Sequence, residues 1–232
     1  EIDGKPAVAL DRTVFYPAGG GQPSDSGVLI AAGAEVRVLD VISDVAAGAT
    51  GGDELVWHVL DQDLPAGAVR AEIDWDRRYD HMQQHTGQHI LSQAFVEACG
   101  AETVSFHLGA AYSTIDLNRA GLTSEDIFRA EALANEIVDR ALPVRAAFVA
   151  PDELAALPLR KPPKVTDNIR VVQVSGFDWS ACGGTHVAYS SHVQLIKITG
   201  VERRGGELRI TFLCGRRARA DYARVLGIVQ IL

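Results

Sequence analysis

Residues 81–100 read HMQQHTGQHILSQAFVEACG, with apolar Met82, Ile90, Leu91, Ala94, Phe95 and Ala98 at mixed three- and four-residue spacings. That period predicts a helix, with Asp80 as its N-cap and Gly100 as its end. His81, His85 and His89 stand four apart in it, three of the seven histidines in the chain. Residues four apart on a helix share a face about 6 Å apart along the axis, within reach of one metal ion. His81 and His89 are about 12 Å apart by the same rise, so one adjacent pair can chelate and the third histidine cannot join it. The alternative is a polar helix face without metal.

Upstream of this helix the pattern is different. AVALDRTVF, SGVLIAAG, AEVRVLDVIS, DELVWHVL and GAVRAEID alternate or run apolar between Gly, Asp and Pro, which predicts five short strands. Strands so spaced suggest a small β-barrel over residues 1–76. The segment FYPAGGGQPSDSG within it is read either as a backbone that approaches a neighbour closely or as a hairpin turn. Downstream, residues 77–232 alternate predicted helices and strands: TVSFHLGAAYSTIDL as two strands, TSEDIFRAEALANEIVDRAL as a helix capped by Thr123 or Ser124, then further strands and a closing helix. The expected class is α+β: a small N-terminal β-barrel followed by an α/β sandwich on a mostly antiparallel sheet.

With 232 residues and 47% apolar content, the chain can bury a substantial core. No run approaches the roughly 18 apolar residues of a membrane helix, and the N-terminus carries no signal-peptide pattern, so a cytoplasmic protein is expected. The first residue is Glu, which suggests a start inside a longer protein. Three separated cysteines predict reduced thiols rather than a disulfide framework. The net charge of −8 is uneven: residues 1–76 hold 4 Lys/Arg against 14 Asp/Glu, and residues 77–232 hold 18 against 16. The later segment includes Arg203, Arg204, Arg209, Arg216, Arg217, Arg219 and Arg224, which form either a phosphate-binding cluster or a solvated face.

A second donor pair lies at DWSACGGTHV, where Cys182 and His186 flank a Gly183-Gly184 turn. Two pairs together supply three imidazoles and one thiolate, a soft tetrahedral set suited to Zn2+. HTGQH lacks the Glu that a zinc protease places beside its first histidine, which argues against protease chemistry.

RTVFYPAGGGQPSDSG (12–27), HTGQHILS (85–92), TVSFHLG and STIDL (103–117), LRKPPKV (159–165) and CGGTH (182–186) together resemble the AlaX family, freestanding relatives of the editing domain of alanyl-tRNA synthetase. The order and extent resemble its medium-length class. The resemblance implies a glycine-motif β-barrel domain at 1–76 and a zinc-binding aminoacyl-tRNA editing domain at 77–232. It implies hydrolysis of tRNA(Ala) mischarged with serine, with glycine as a second candidate; neither a membrane nor an obligate protein partner is expected. The ligands it implies are His85, His89, Cys182 and His186.

Thr103, Ser105 and His107 lie on the strand expected to line the pocket, where alternation would let all three face one way. Thr103 and Ser105 are candidates for reading the serine hydroxyl, or are ordinary strand residues; Gln88 is a candidate for placing water or substrate, or a solvent-facing glutamine. Arg160, Lys161, Lys164, Arg203, Arg204, Arg216 and Arg217 are the candidate tRNA contacts. SSHVQL at 190–195 departs from the Thr-Gly-Glu-Ile-Gly type of loop found in the family, which leaves the shape of that loop open. Two other readings are an editing fragment of a full synthetase acting in cis and a non-catalytic, zinc-stabilised tRNA-binding module.

Overall fold

The computed structural model describes residues 1–43, 55–163, 165–166 and 168–230. The chain divides into two compact units, Glu1–Tyr79 and Asp80–Leu232. The α+β class is borne out: all sheets are antiparallel, and four α-helices accompany them among the described residues.

The first unit holds β1 (Ala7–Ala9), β2 (Gly27–Ala31), β3 (Ala34–Ser43), β4 (Val56–Leu60) and β5 (Arg70–Ile73), in the order β1-β4-β3-β2-β5. Phe15, Leu29, Val36, Val38, Val41 and Leu60 form its buried core; each such side chain contributes about 1.5–3 kcal/mol on burial. The expected barrel does not close among the described residues. β1 has three residues and pairs with β4, β5 has four and pairs with β2, and no ladder joins these two edges. Closure needs tilted strands long enough to bring the first against the last. The glycine-rich segment is a hairpin turn: Gly19 and Gln22 exchange backbone hydrogen bonds while Gly20 and Gly21 sit at φ +55° and +78°, the pair of positive values that a tight hairpin of this kind demands.

Helix α1 (Trp75–Cys99) begins earlier than its apolar period predicted. Asp74, rather than Asp80, caps it, its Oδ1 accepting from Arg77 N at 3.1 Å. Asp80 lies inside the helix and pairs with Arg217 at 2.5 Å. Gly100, at φ +60°, ends the helix as expected, with Gly100 N donating to Val96 O and Ala101 N to Phe95 O. From Gln83 to Leu91 every residue is buried, polar ones included, so this is a central helix rather than a surface one.

In the second unit one sheet has the order β11-β12-β7-β6, from β6 (Thr103–Leu108), β7 (Ser113–Leu117), β11 (Ile196–Arg204) and β12 (Glu207–Cys214). A separate sheet, β10-β9-β8, comes from β8 (Val144–Phe148), β9 (Arg170–Val174) and β10 (Asp178–Ala181), so two sheets stand where one was expected. Ile90, Leu91, Phe95, Ile115, Ile210 and Phe212 are fully buried. Helix α2 (Ser124–Asp139) starts with a capping box between Thr123 and Asp126 and meets β11 through Asn135, which donates to Ile196 O and accepts from Ile196 N. Helix α3 (Pro151–Leu154) is a single turn, and α4 (Gly215–Val229) follows β12.

Candidate metal centre

At 100° per residue, His85, Gln88, His89 and Ser92 fall within about a 100° arc of α1, so the helix delivers four polar side chains to one side. β10 and the turn after it deliver Cys182 and His186. One ligand atom from each of His85, His89, Cys182 and His186 lies within 4.8 Å of the others. The Cys182 Sγ stands 3.4 Å from both His85 Nε2 and His186 Nε2. The edge of a tetrahedron with zinc–sulfur and zinc–nitrogen bonds of ordinary length is about 3.5 Å, so the spacing fits a zinc-sized ion. His81 is buried on the same helix but is not part of the cluster.

Second contacts back His89, His186 and Cys182. A carboxylate can only accept, so His89 Nδ1–H donates to Asp178 Oδ2 at 3.1 Å and leaves Nε2 for the cluster. His186 Nδ1 meets Thr86 Oγ1 at 3.1 Å, and Thr86 Oγ1 also accepts from Val187 N. Gly184 N donates to Cys182 Sγ at 3.3 Å, while Arg170 donates to the carbonyls of Cys182 and Gly184 and holds the turn in shape. Such outer contacts fix the tautomer and orientation of a ligating histidine.

Burial works against a charged Cys182, but hydrogen bonds from His186, His85 and His89 outweigh it and hold the thiol well below its usual range. Burial and the neighbouring His85 hold His186 down to about 3. His85 is also lowered, chiefly by burial. Burial opposes the charge on His89 too, yet Asp178 and Cys182 raise it to about 9. Thiolate and neutral imidazole are the forms that bind metal, and an ion would displace the proton that His89 carries toward Cys182.

The structure separates the two hydroxyls expected on one side of β6. Thr103 pairs with Leu117, but Ser105 pairs with Asp116, the very next residue of β7, so Val104 is an extra residue in a β-bulge. Alternation therefore breaks. Thr103 is buried and donates to Ser92 Oγ on α1 at 2.7 Å, whereas Ser105 donates to Asp116 on the opposite face of the sheet. Phe106 lies on the side of Thr103 and meets the His85 ring, with centroids 5.8 Å apart. Gln88 does not face solvent: it is 2% exposed, its Nε2 donates to Ser92 Oγ at 2.8 Å, and its Oε1 has no partner among the described residues.

The basic candidates divide. Arg160 is engaged internally with Asp178 and Ser180, and Lys161 donates to the Thr103 carbonyl. Arg217 grips Asp80 and the Gly109 carbonyl. These three are engaged by partners within the chain. Arg203, Arg204 and Arg216 are exposed, with Arg204 paired to Glu202. Lys164 lies outside the described residues. Asp178, Arg170 and Thr86 escaped the sequence reading because their value comes from partners far along the chain; the one visible signal was an isolated acid between Phe177 and Trp179, four residues before Cys182.

Residues 169–211 match the family described as the threonyl and alanyl tRNA synthetase second additional domain. The chain is 35% identical over 226 residues to alanyl-tRNA editing protein AlaX-L of Pyrococcus horikoshii, covering 94% of this chain and 54% of that protein. It is 35% identical over 214 residues to alanyl-tRNA editing protein Aarsd1-A of Xenopus laevis, covering 90% and 49%. It is 38% identical over 242 residues to an alanine–tRNA ligase of Pyrobaculum neutrophilum, covering 94% and 25%. The chain thus spans about half the length of the editing proteins it matches. The resemblance to alanyl-tRNA editing proteins carried by its motifs is borne out.

Proposed function

We propose, taking the resemblance to alanyl-tRNA editing proteins as the premise, that this chain hydrolyses the ester of tRNA(Ala) mischarged with serine, with glycine as a second substrate, and releases amino acid and tRNA. The observation that carries the reading is the convergence of His85, His89, Cys182 and His186 from two distant segments. These residues would hold Zn2+, which when bound supplies a Lewis acid that orients and polarises the aminoacyl end.

The need for such a site follows from a limit on selectivity: a pocket shaped for alanine rejects a side chain that merely adds a hydroxyl by only about 10²-fold. A second site can reverse the test by leaving its own polar groups unpaired when the hydroxyl is missing. Gln88, Ser92 and Thr103 supply such groups here. Gln88 Oε1 is buried, unpartnered among the described residues and next to His89 in the chain, which supports its role as acceptor for the serine hydroxyl. Thr103 Oγ1 retains lone pairs after donating to Ser92, whereas Ser105 is spent on Asp116 across the sheet and is not assigned to the substrate. The reading assigns no dedicated side-chain base.

Arg203, Arg204 and Arg216 are assigned to the tRNA backbone, and the site of action to the cytoplasm. Among the described residues no helix is long and apolar enough to cross a membrane. The match to an alanine–tRNA ligase supports a second reading, in which the same site edits in cis within a longer synthetase; aminoacylation by the full-length protein would select that one.

The test is deacylation of Ser-, Gly- and Ala-tRNA(Ala) by zinc-loaded protein, with and without chelator. The expected result is loss of Ser-tRNA(Ala), persistence of Ala-tRNA(Ala), and arrest on chelation. Intact Ser-tRNA(Ala), bound but not hydrolysed, would overturn the reading in favour of a non-catalytic binding module.

A further inference from the structure

The LRKPP segment carries two adjacent positive charges, but the side chain of Arg160 is only 11% exposed and belongs to the interior. Its backbone N donates to Trp179 O at 2.9 Å, which seats it against β10. Its Nε then donates to Asp178 Oδ1 at 2.8 Å and its Nη2 to Ser180 Oγ at 2.9 Å. Ser180 Oγ in turn donates to Asp178 Oδ2 at 3.0 Å, the same oxygen that accepts from His89 Nδ1. Both oxygens of a fully buried carboxylate are thereby committed, one to Arg160 and the other to Ser180 and His89.

We propose that Arg160 is a positioning residue for the metal centre: through Asp178 it fixes the His89 tautomer that presents Nε2 to the ion. A buried carboxylate without its cation is strongly disfavoured, so loss of Arg160 removes the contact that anchors Asp178 Oδ1 and lets the carboxylate turn away from His89. His89 Nδ1–H then loses its acceptor, and nothing holds the ring with Nε2 bare and aimed at the other three donors. Arg160 touches neither substrate nor metal, and acts through two intervening hydrogen bonds. Lys161, the next residue, donates to the Thr103 carbonyl, so the same short strap also reaches the strand beside α1.

This inference rests on the metal reading above and not on the substrate. Its test is therefore zinc affinity, measured on the whole chain by competition with a chromophoric chelator. Arg160→Met should bind zinc about 10- to 100-fold more weakly, the usual effect of losing an outer-shell partner. Arg160→Lys should fall between the two, because an ammonium can serve Oδ1 but not Ser180 as well.

If Arg160→Met does not fold, Asp178→Asn carries the test at unchanged side-chain shape. Arg160 would draw the amide oxygen toward itself and turn the amide NH2 to His89, forcing the proton onto Nε2 and weakening zinc by a similar factor. Long-range proton–nitrogen NMR should show the Nδ1–H tautomer of His89 in the zinc-loaded native protein and its loss in the variant that weakens binding; a purely structural role would leave the tautomer unchanged. Native affinity in the folded variant overturns the inference alone. A native protein that takes up no zinc overturns the metal reading and this inference with it.

Discussion

Gly87 lies against Cys214 so closely that a Cβ at position 87 would stand 2.2 Å from its Sγ and 3.3 Å from Val193 Cγ1. This explains a glycine in the middle of a buried helix, between the two histidines of HTGQH. Cys214 is fully buried and cannot swing into solvent. Gly87→Ala should therefore lower stability by a net of about 1 kcal/mol, overpacking of about 1–3 kcal/mol outweighing a helix-propensity gain of about 1. Adding Cys214→Ala should recover most of the loss in urea melts, with a coupling of at least about 0.5 kcal/mol in the cycle.

Gln194 occupies φ +69°, ψ −60°, and Leu195 N donates to Val193 O across it. That is a γ-turn of the rare, strained sort, held by a side chain where glycine would suffer no steric penalty. The loop that departs from the family pattern is thus docked, with Ser190 Oγ donating to Ile137 O and accepting from Leu142 N. Gln194→Gly should raise stability by about 1 kcal/mol, visible as a higher denaturation midpoint at unchanged slope.

Asp126 closes the capping box of α2. Hydrogen bonds from the Thr123 backbone, then from its hydroxyl, then from Arg129 hold the carboxyl at about 2, below its ordinary 3.8. A depressed carboxylate contributes its stability above the unfolded value and loses it as pH falls through the folded one. The stability gap between native protein and Asp126→Asn should be full at about pH 5 and largely gone at about pH 2.

Two arginines of the second unit should fail in different ways. Arg217 and Asp80 are 12% and 13% exposed, so Arg217→Met leaves a largely buried carboxylate unpaired and should cost about 3–5 kcal/mol in thermal or urea melts. Arg203→Ala should leave the melt unchanged, weaken tRNA binding, and reduce the slope of log affinity against log salt by about 1. An unchanged slope would remove Arg203 from the proposed phosphate contacts.

Gln88→Leu tests the substrate side. If its Oε1 receives the serine hydroxyl, kcat/KM for Ser-tRNA(Ala) should drop about 10- to 100-fold, the range expected for one unpaired buried polar group, while Gly-tRNA(Ala) is little affected. Equal losses on both substrates would reduce Gln88 to a packing role.

The sequence made local chemistry legible and long-range pairing much less so. Five strand segments in the first unit, the Gly100 stop and the Thr123 cap follow from period and capping rules that act over a few residues. Two short chelating spacings made a four-donor set legible, but they left His81–His85 and His85–His89 both open, and only the resemblance chose the pair that the structure brings together with Cys182 and His186. What could not be read is the destination of each positive charge, since Arg160 and Arg217 differ from Arg203 only in having Asp178 and Asp80 within reach. Barrel closure likewise depended on how far β1 and β5 extend, a property of strand ends that alternation does not encode.

Val104 has no polar group, yet it partitions the chemistry of its strand. By occupying the extra position it gives Thr103 to the helix that carries His85 and Gln88, and Ser105 to the Asp116–Arg209 pair behind the sheet. Deleting it would leave Thr103 and Ser105 on opposite faces. One extra residue opposite it in β7 would instead bring Val104 into register and turn both hydroxyls to one face, so that a one-residue change in length, with no new functional group, reassigns a hydroxyl. Insertions and deletions at this point offer such a site a route to altered selectivity that substitution alone does not provide.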